Sequence, residues 1–217
     1  MYQLYYNPGK ASMTPHILLE ELGVQYDLVL VDMANNMHKS EQFLALNPAG
    51  KIPVLVEDEL VLSETIAICQ HLSDLHPDAG MTPDAGTAAR AKWYKWLAYL
   101  GTSLHPELLT HFFPHFLVDG EEAQGVLARK ALERVTAMLD LIEAHLHHNA
   151  ESGRGHWLLG AQYTAADIYL FMLARWTRKF TYPASARKHI GAFMQRVADR
   201  PAVQRACAAE GMSLPLF

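Results

Sequence analysis

The fold of this chain is decided by the stretch NPAGKIPVLVEDELVLSETIAI, residues 47–68. An apolar run at 54–56 has the composition of a strand, and a second apolar run follows at 60–62 after a short acidic turn. Ser63 stands where a helix cap belongs, and Glu64 follows it in the first helical turn. The stretch therefore predicts strand, turn, strand and helix in close succession.

Pro53 stands at the mouth of the first of these strands. Proline cannot donate a hydrogen bond to a sheet, so it requires an edge, a first position or a cis bend. A cis bend would turn the backbone of Ile52 outward and leave its N–H and C=O able to pair with an extended peptide. Ser63 and Glu64 lie at a helix start, whose free N–H groups and dipole favour a carboxylate. The pattern suits a small, extended, acidic peptide.

This stretch resembles the glutathione S-transferase family. The family carries NPxGxxPxL, then a short strand, then a Ser-Glu or Ser-Asp pair followed by Ser or Thr, any residue, Ala and Ile. Residues 47–55 and 63–68 match both parts in order. Another thioredoxin-like domain is the alternative interpretation, since such domains share the cis proline. The Ser-Glu pair at the helix start favours the transferases.

Composition excludes several classes of function. The chain has 217 residues and 50% hydrophobic content, enough for one core or two small ones. A net charge of −5 argues against nucleic acid or an anionic membrane as the main partner. Cys69 and Cys207 have no metal-like spacing, so we expect no disulfide framework and no metal site. The first ten residues lack a signal-peptide pattern and no long apolar run follows, which predicts a soluble cytoplasmic protein.

The first part of the chain alternates between strands and helices. The last two strands are predicted to form a hairpin, and the first strand-helix-strand unit to pair in parallel. This is the thioredoxin-like layout that the resemblance implies. We predict strands at 2–6 and 26–31 and helices at 12–22 and 40–46, followed by the stretch described above and a helix to about His76.

The second part is predicted to be helical throughout. Residues 77–86 have linker composition. We predict an α/β thioredoxin-like domain at 1–78, a linker at 79–86 and an all-helical domain at 87–217. Thr164 and Asp167 fit a capping box, so the aspartate is interpreted as structural and not catalytic. The helices are predicted at 87–112, 121–148, 164–176, 183–199 and 201–210.

A catalyst of glutathione conjugation must stabilise a thiolate, because an ordinary thiol has a pKa near 8.5. A hydroxyl at a helix start can donate to the thiolate, and the helix dipole adds positive potential. The segment YYNPGKASMTPHI, residues 5–17, resembles the pattern YYSPGACSLAPHI of the bacterial beta class. Ser12 matches the serine of that pattern and is our candidate catalytic residue. Ala11 replaces its cysteine, so no mixed disulfide with glutathione can form there.

Three alternatives to a catalytic Ser12 stay open. Ser12 can simply cap the first helix. Lys10 stands where other serine-type classes have their serine, and it can act through its charge or its backbone N–H. Tyr6 is the candidate by analogy with tyrosine-type classes.

The resemblance implies the rest of the glutathione site. Ser63 is expected to hold the γ-glutamyl carboxylate and Glu64 the ammonium. Lys51, Ile52 and Pro53 are expected to contact the peptide. From the helical part, His105 in Leu-His-Pro matches half of the His-Lys pair of the beta class. The aromatic residues between 111 and 116 either line a pocket for an apolar electrophile or belong to the core.

The resemblance implies a glutathione transferase that joins the glutathione thiolate to an apolar electrophile in detoxification. Glutathione is the co-substrate, no metal is expected, and a homodimer is predicted. A glutathione-dependent reductase or peroxidase without a protein cysteine is the first alternative. A non-catalytic glutathione-binding or regulatory protein on the same fold is the second.

Overall fold

The computed structural model describes residues 1–213 and 215–217. The chain divides into two compact units, one of Met1–Asp84 with Arg196–Phe217 and one of Ala85–Gln195. The division between 84 and 85 falls inside the predicted linker 79–86. The structure differs from the sequence interpretation at the C-terminus, because the last segment groups with the first unit and not with the helical one.

The order of elements along the chain follows the predicted order. Three-10 turns lie at Met37–Lys39 and Pro77–Ala79, outside the predicted strands and helices. The strands and helices are β1 (Tyr2–Tyr6), α1 (Met13–Leu22), β2 (Tyr26–Leu30), α2 (Glu41–Leu46), β3 (Val54–Glu57), β4 (Leu60–Ser63), α3 (Thr65–Leu75), α4 (Ala88–Tyr99), α5 (His105–Phe112), α6 (Glu121–Glu151), α7 (Ala165–Trp176), α8 (Lys188–Ala198) and α9 (Pro201–Ala209).

The first unit is built on a sheet of order β2-β1-β3-β4. Strands β1 and β2 are parallel, with Tyr2 opposite Tyr26. Strand β3 runs antiparallel to both of its neighbours. The parallel unit and the hairpin are both as predicted. Because β3 runs opposite to β1 and β4, its first residue, Val54, lies opposite the next-to-last residue of β1, Tyr5, and the last residue of β4, Ser63.

The core of the first unit lies where α1 and α3 pack together and on the sheet. Cys69 is fully buried, as expected for a small core residue, and burial raises the pKa of its thiol to about 12. Helix α1 also packs against α9, which explains why the last segment groups with this unit. Fully buried members of the core include Leu4, Met13, Ile17, Leu18, Leu55, Ile68 and Leu72.

The helical unit departs from the prediction at one point. The single helix predicted over 87–112 is interrupted by a π-helical turn at Leu100–Leu104, which separates α4 from α5. Such turns often occur at functional sites, and this one leads directly into His105. Among the helices of residues 1–213 and 215–217, none combines the length and apolarity needed to cross a membrane.

The capping box of α7 is confirmed. The backbone N–H of Thr164 donates to Asp167 Oδ2 at 2.9 Å, and the Thr164 side chain accepts the N3 backbone N–H in return. The N–H of Leu158 donates to Asp167 Oδ1 at 2.8 Å. Burial raises the pKa of the Asp167 carboxyl to about 7, against the effect of these hydrogen bonds. Asp167 is therefore a fully buried structural anchor.

Candidate active site

The sheet register brings the predicted site residues of the first unit to one place. Tyr5 lies opposite Val54, and Val54 lies opposite Ser63 on the other side. The last residue of β1, the first of β3 and the last of β4 therefore share one end of the sheet, called the site end here. The segment with Lys10 and Ser12 leaves from this end, as do Pro53 and the start of α3.

The peptide bond Ile52-Pro53 is cis, as predicted. Among the hydrogen bonds of the described residues, none involves the backbone N–H or C=O of Ile52. The preceding turn is held by Asn47, whose Nδ2 donates to the Lys51 carbonyl at 2.6 Å and whose Oδ1 accepts the Ala49 N–H at 3.1 Å. Lys51 itself is exposed. The site end thus carries a backbone donor and acceptor that an extended peptide can use.

The start of α3 differs from the prediction by one residue. Ser63 is the last residue of β4, and Glu64 occupies the cap position with φ 72° and ψ 117°. The prediction that Ser63 caps the helix is therefore wrong, because the pairing of β4 with β3 extends as far as Ser63, which lies opposite Val54. Within the described residues the cap makes no side-chain hydrogen bond. A positive φ is uncommon for glutamate, and such backbone recurs at ligand clamps.

Ser12 is fully buried and bonded to the turn that precedes it. Its hydroxyl donates to the carbonyl of Asn7 and accepts the N–H of Asn7, both at 3.2 Å. In the part of the chain that is described, the Ser12 side chain makes no cap hydrogen bond to α1. The cap alternative is therefore wrong, and the hydroxyl instead closes the turn of residues 7–12.

Lys10 and Tyr6 have different surroundings. Lys10 is exposed, and its ammonium has no ion-pair partner among the described residues. Its backbone N–H donates to the Asn7 carbonyl at 3.2 Å. Tyr6 is half-buried at the end of β1, with its ring 6.2 Å from that of His16. Of the alternatives to Ser12, only Lys10 combines exposure with positive charge.

A buried hydrogen-bond network, which was not predicted from the sequence, supports the turn of residues 7–12. Glu210 Oε2 accepts the N–H of Gly9 at 2.7 Å, and Glu210 Oε1 lies 2.8 Å from His16 Nδ1. Both side chains are fully buried. His16 Nε2 lies 3.0 Å from the hydroxyl of Tyr26, which donates to Glu20. Burial and the Glu20 carboxylate raise the pKa of Tyr26.

Nothing in the sequence marks Glu210 as part of a site. The residue follows a short C-terminal helix, where a glutamate is ordinarily exposed. Its two contacts are 201 and 194 positions away along the chain. Two ion pairs connect the same regions, Arg200 to Glu21 and Arg205 to Glu20. The glutamates at 20 and 21 and the arginines at 200 and 205 are the sequence signal for this pairing of α1 with the last segment.

His105 and the aromatic stretch lie in the helical unit. His105 Nδ1 is 2.7 Å from the Tyr169 hydroxyl, and its ring is 5.1 Å from that of Trp176. Phe113 and Phe116 stack at 5.9 Å, with Phe116 77% exposed. Because Phe112 and Phe113 are also exposed, this stretch is an aromatic surface and not core.

Comparisons with known proteins agree with this architecture. Residues 1–74 match the family model described as Glutathione S-transferase, N-terminal domain, and residues 103–201 match Glutathione S-transferase, C-terminal domain. Glutathione S-transferase GstA of Escherichia coli O157:H7 is 36% identical over 212 residues, which cover 97% of this chain and 99% of that protein.

Two solved structures are similar over almost the whole chain. The bacterial beta class glutathione S-transferase of Sphingomonas chungbukensis is 33% identical with a TM-score of 0.82, covering 97% of this chain and all of that one. A sphingomonad glutathione S-transferase complexed with glutathione gives the same identity, TM-score and coverage. The chain thus belongs to the glutathione S-transferase family.

Proposed function

We propose that this protein is a glutathione transferase that joins the glutathione thiolate to an apolar electrophile. The observation that carries the proposal is the free backbone of Ile52 beside the start of α3, at one end of the sheet. A similar protein, the sphingomonad transferase, is complexed with glutathione in its solved structure.

The dimensions of the site end suit a tripeptide. Neighbouring strands lie about 4.8 Å apart, so the step from β4 across β3 to β1 is roughly 10 Å. Three extended residues span about the same distance. A glutathione held by its γ-glutamyl end near Ser63 and Glu64 can pair its central residue with Ile52. Its thiol then reaches the segment that follows β1.

The thiolate requires a donor or a positive charge on that segment. Ser12 remains our candidate, but its hydroxyl must turn away from Asn7 in order to donate to sulfur. Lys10 offers an ammonium that needs no such rearrangement. The N–H groups of the same turn and the dipole of α1 add positive potential in either case.

The helical unit is proposed to supply the apolar surface that binds the electrophile. The exposed rings of Phe112, Phe113 and Phe116 offer an aromatic surface for an electrophile. His105 of the same unit is proposed as a further substrate-binding residue, as the family resemblance implies. We further propose a homodimer that acts in cytoplasmic detoxification, as the family resemblance implies.

Binding to immobilised glutathione, followed by assays of conjugation and of peroxide reduction, tests the proposal. We expect retention on the resin and conjugation of an aromatic halide. Ser63→Ala should weaken glutathione binding about tenfold, because a hydrogen bond to a charged group contributes roughly 1.5–3 kcal/mol. No retention and no conjugation would overturn the proposal, and peroxide reduction alone would favour the reductase or peroxidase alternative.

A further inference from the structure

Two histidines outside the proposed glutathione site lie in direct contact in the helical unit. Nδ1 of His147 on α6 is 3.1 Å from Nε2 of His189 on α8. Their ring centroids are 4.8 Å apart, with 58° between the ring planes. The side chain of His147 is 55% exposed. The contact is a hydrogen bond between two ring nitrogens, and one hydrogen lies between two atoms that can both bind a metal.

Glu143 fixes the position of His189. It lies one turn before His147 on α6, and its two carboxylate oxygens accept the backbone N–H groups at the start of α8. The His189 N–H donates at 2.9 Å to Oε1, and the Ile190 N–H donates at 2.8 Å to Oε2. The first turn of α8 is thereby held on the face of α6 that carries His147.

Glu151 extends the same face by one turn. Residues four apart on a helix are neighbours, so His147 lies between Glu143 and Glu151. Oε1 of Glu151 is 4.0 Å from His147 Nδ1, and its side chain is 68% exposed. Both carboxylate oxygens of Glu143 already accept N–H groups at the start of α8, whereas the Glu151 side chain can turn toward the histidine pair.

The distances are close to those of a zinc site. Two Zn–N bonds of about 2.0–2.1 Å across this 3.1 Å separation enclose an angle of roughly 95–102°, between octahedral and tetrahedral values. Glu151 must approach His147 by roughly 0.6 Å from 4.0 Å to reach ordinary tetrahedral spacing. As they stand, no three His, Cys, Asp or Glu side chains in residues 1–213 and 215–217 are grouped to hold a metal ion.

We propose that His147, His189 and Glu151 bind one Zn²⁺ ion, with water as the remaining ligand. The ion takes the place of the hydrogen bond between the two rings: the donor ring releases that proton to water and carries a proton on its other nitrogen instead, so that both facing nitrogens offer a lone pair. The exposed carboxylate moves to complete the protein ligands. Imidazole suits Zn²⁺, Cu²⁺ and Ni²⁺, whereas Mg²⁺ and Ca²⁺ prefer oxygen ligands. Because α6 and α8 both donate ligands, the bound ion links the two helices and stabilises the folded helical unit.

Calorimetric titration of the full chain with ZnCl₂ at pH 7.5 tests the site. We expect the wild type to bind with a saturable high-affinity phase of one ion. His147→Gln and His189→Gln should each weaken that phase at least about tenfold, since even the outer partners of metal ligands contribute 10–100-fold. Glu151→Gln should weaken it less than either histidine substitution. MgCl₂ should give no such phase.

His148→Gln is the matched control. His148 is an exposed neighbour on α6 that contacts Arg154 and takes no part in the histidine pair. This variant should keep the wild-type phase, which separates the proposed site from the other histidines of the chain. ZnCl₂ should also raise the melting temperature of the wild type and of His148→Gln, but not of His147→Gln or His189→Gln. Wild-type titration without a saturable phase, or one unchanged in both His147→Gln and His189→Gln, overturns the proposal.

Discussion

Two buried carboxylates anchor backbone N–H groups in this protein, one across nine positions of the chain and the other across 201. Asp167 accepts the N–H groups of Leu158 and Thr164 at the start of α7. Glu210 accepts the N–H of Gly9 and contacts His16 beneath the turn at the site end. The chemistry is the same in both regions, yet the sequence predicted only the bond between Asp167 and Thr164.

Asp167 and Glu210 differ in their role as well as in how far along the chain their contacts lie. Asp167 closes a local motif that any chain with the same few residues can form. Glu210 has no local motif and ties the last segment to the segment proposed to receive the thiol. We therefore expect substitutions at Asp167 to affect folding alone, and substitutions at Glu210 to affect folding and glutathione binding together.

The pH dependence of stability gives the largest expected effect. Burial raises the pKa of Asp167 to about 7, above its ordinary value of 3.8. The contribution of Asp167 to the free energy of unfolding is therefore fully present below pH 3.8 and is lost as the pH rises toward 7, by at most about 4 to 5 kcal/mol at 1.4 kcal/mol per unit. Urea unfolding of wild type and Asp167→Asn between pH 4 and 8 measures this difference. Parallel curves for the two proteins would contradict it.

Removal of the Asp167 carboxyl is the second test. Asp167→Ala leaves the N–H groups of Leu158 and Thr164 buried without their acceptor. Each such group costs about 1–3 kcal/mol, so we expect a loss of about 3 kcal/mol in the free energy of unfolding at pH 5. Asp167→Asn keeps one acceptor oxygen and should lose less. Glutathione affinity of the folded Asp167→Asn protein should equal that of wild type.

Removal of the Glu210 carboxyl is the third test. Glu210→Ala removes the carboxylate that accepts the Gly9 N–H and contacts His16 Nδ1, and we expect a loss of about 2 kcal/mol in the free energy of unfolding. The same variant should bind glutathione more weakly, because the turn at the site end loses its support. Calorimetry at a temperature where the variant is folded measures this effect.

Glu210→Gln is the conservative control for that test. Its amide oxygen can accept the Gly9 N–H and its amide nitrogen can donate to His16, so both properties should return toward wild type. If Glu210→Ala binds glutathione as tightly as wild type, the two anchors have the same purely structural role and the comparison fails.

The smallest expected effect distinguishes Lys10 from Ser12 as the residue that stabilises the glutathione thiolate. Lys10→Ala should raise the pKa of bound glutathione by less than about one unit, because an exposed charge at 4 Å contributes about 1 kcal/mol in water. Ser12→Ala should cost about 1 kcal/mol of folding stability, since its hydroxyl bonds to Asn7. Ultraviolet titration of the thiolate beside urea unfolding separates the two. A rise in the thiol pKa with Ser12→Ala and none with Lys10→Ala would identify Ser12 as the donor to the thiolate.

Much of the fold was predictable because its signals are local. Gly23 directly follows the predicted end of the first helix at residue 22, and with φ 66° it caps α1, since glycine adopts the left-handed conformation freely. The Ser40 side chain caps α2 by accepting the Phe43 N–H at 3.2 Å. The hairpin of β3 and β4 and the cis bond at Pro53 follow from the residues of one short stretch.

The misplaced features were those decided by competition between neighbours. Ser63 is a good cap residue, but its pairing with Val54 keeps it in the strand and moves the cap to Glu64. Ser12 is also a good cap residue, but its hydroxyl bonds to Asn7. The π-helical turn before His105 leaves no mark in a continuous helical pattern.

The sequence by itself determined the kinds of elements, their order, the capping box and the family, because these depend on residues close together in the chain and on ordered motifs. Only the tertiary structure decided which groups the buried carboxylate of Glu210 contacts, and that His147 and His189 meet. Contacts across 201 and 42 positions depend on how helices pack, and packing depends on the shape and burial of many side chains at once. Sequence patterns indicate which residues can pair, whereas the tertiary structure determines which of these residues come into contact.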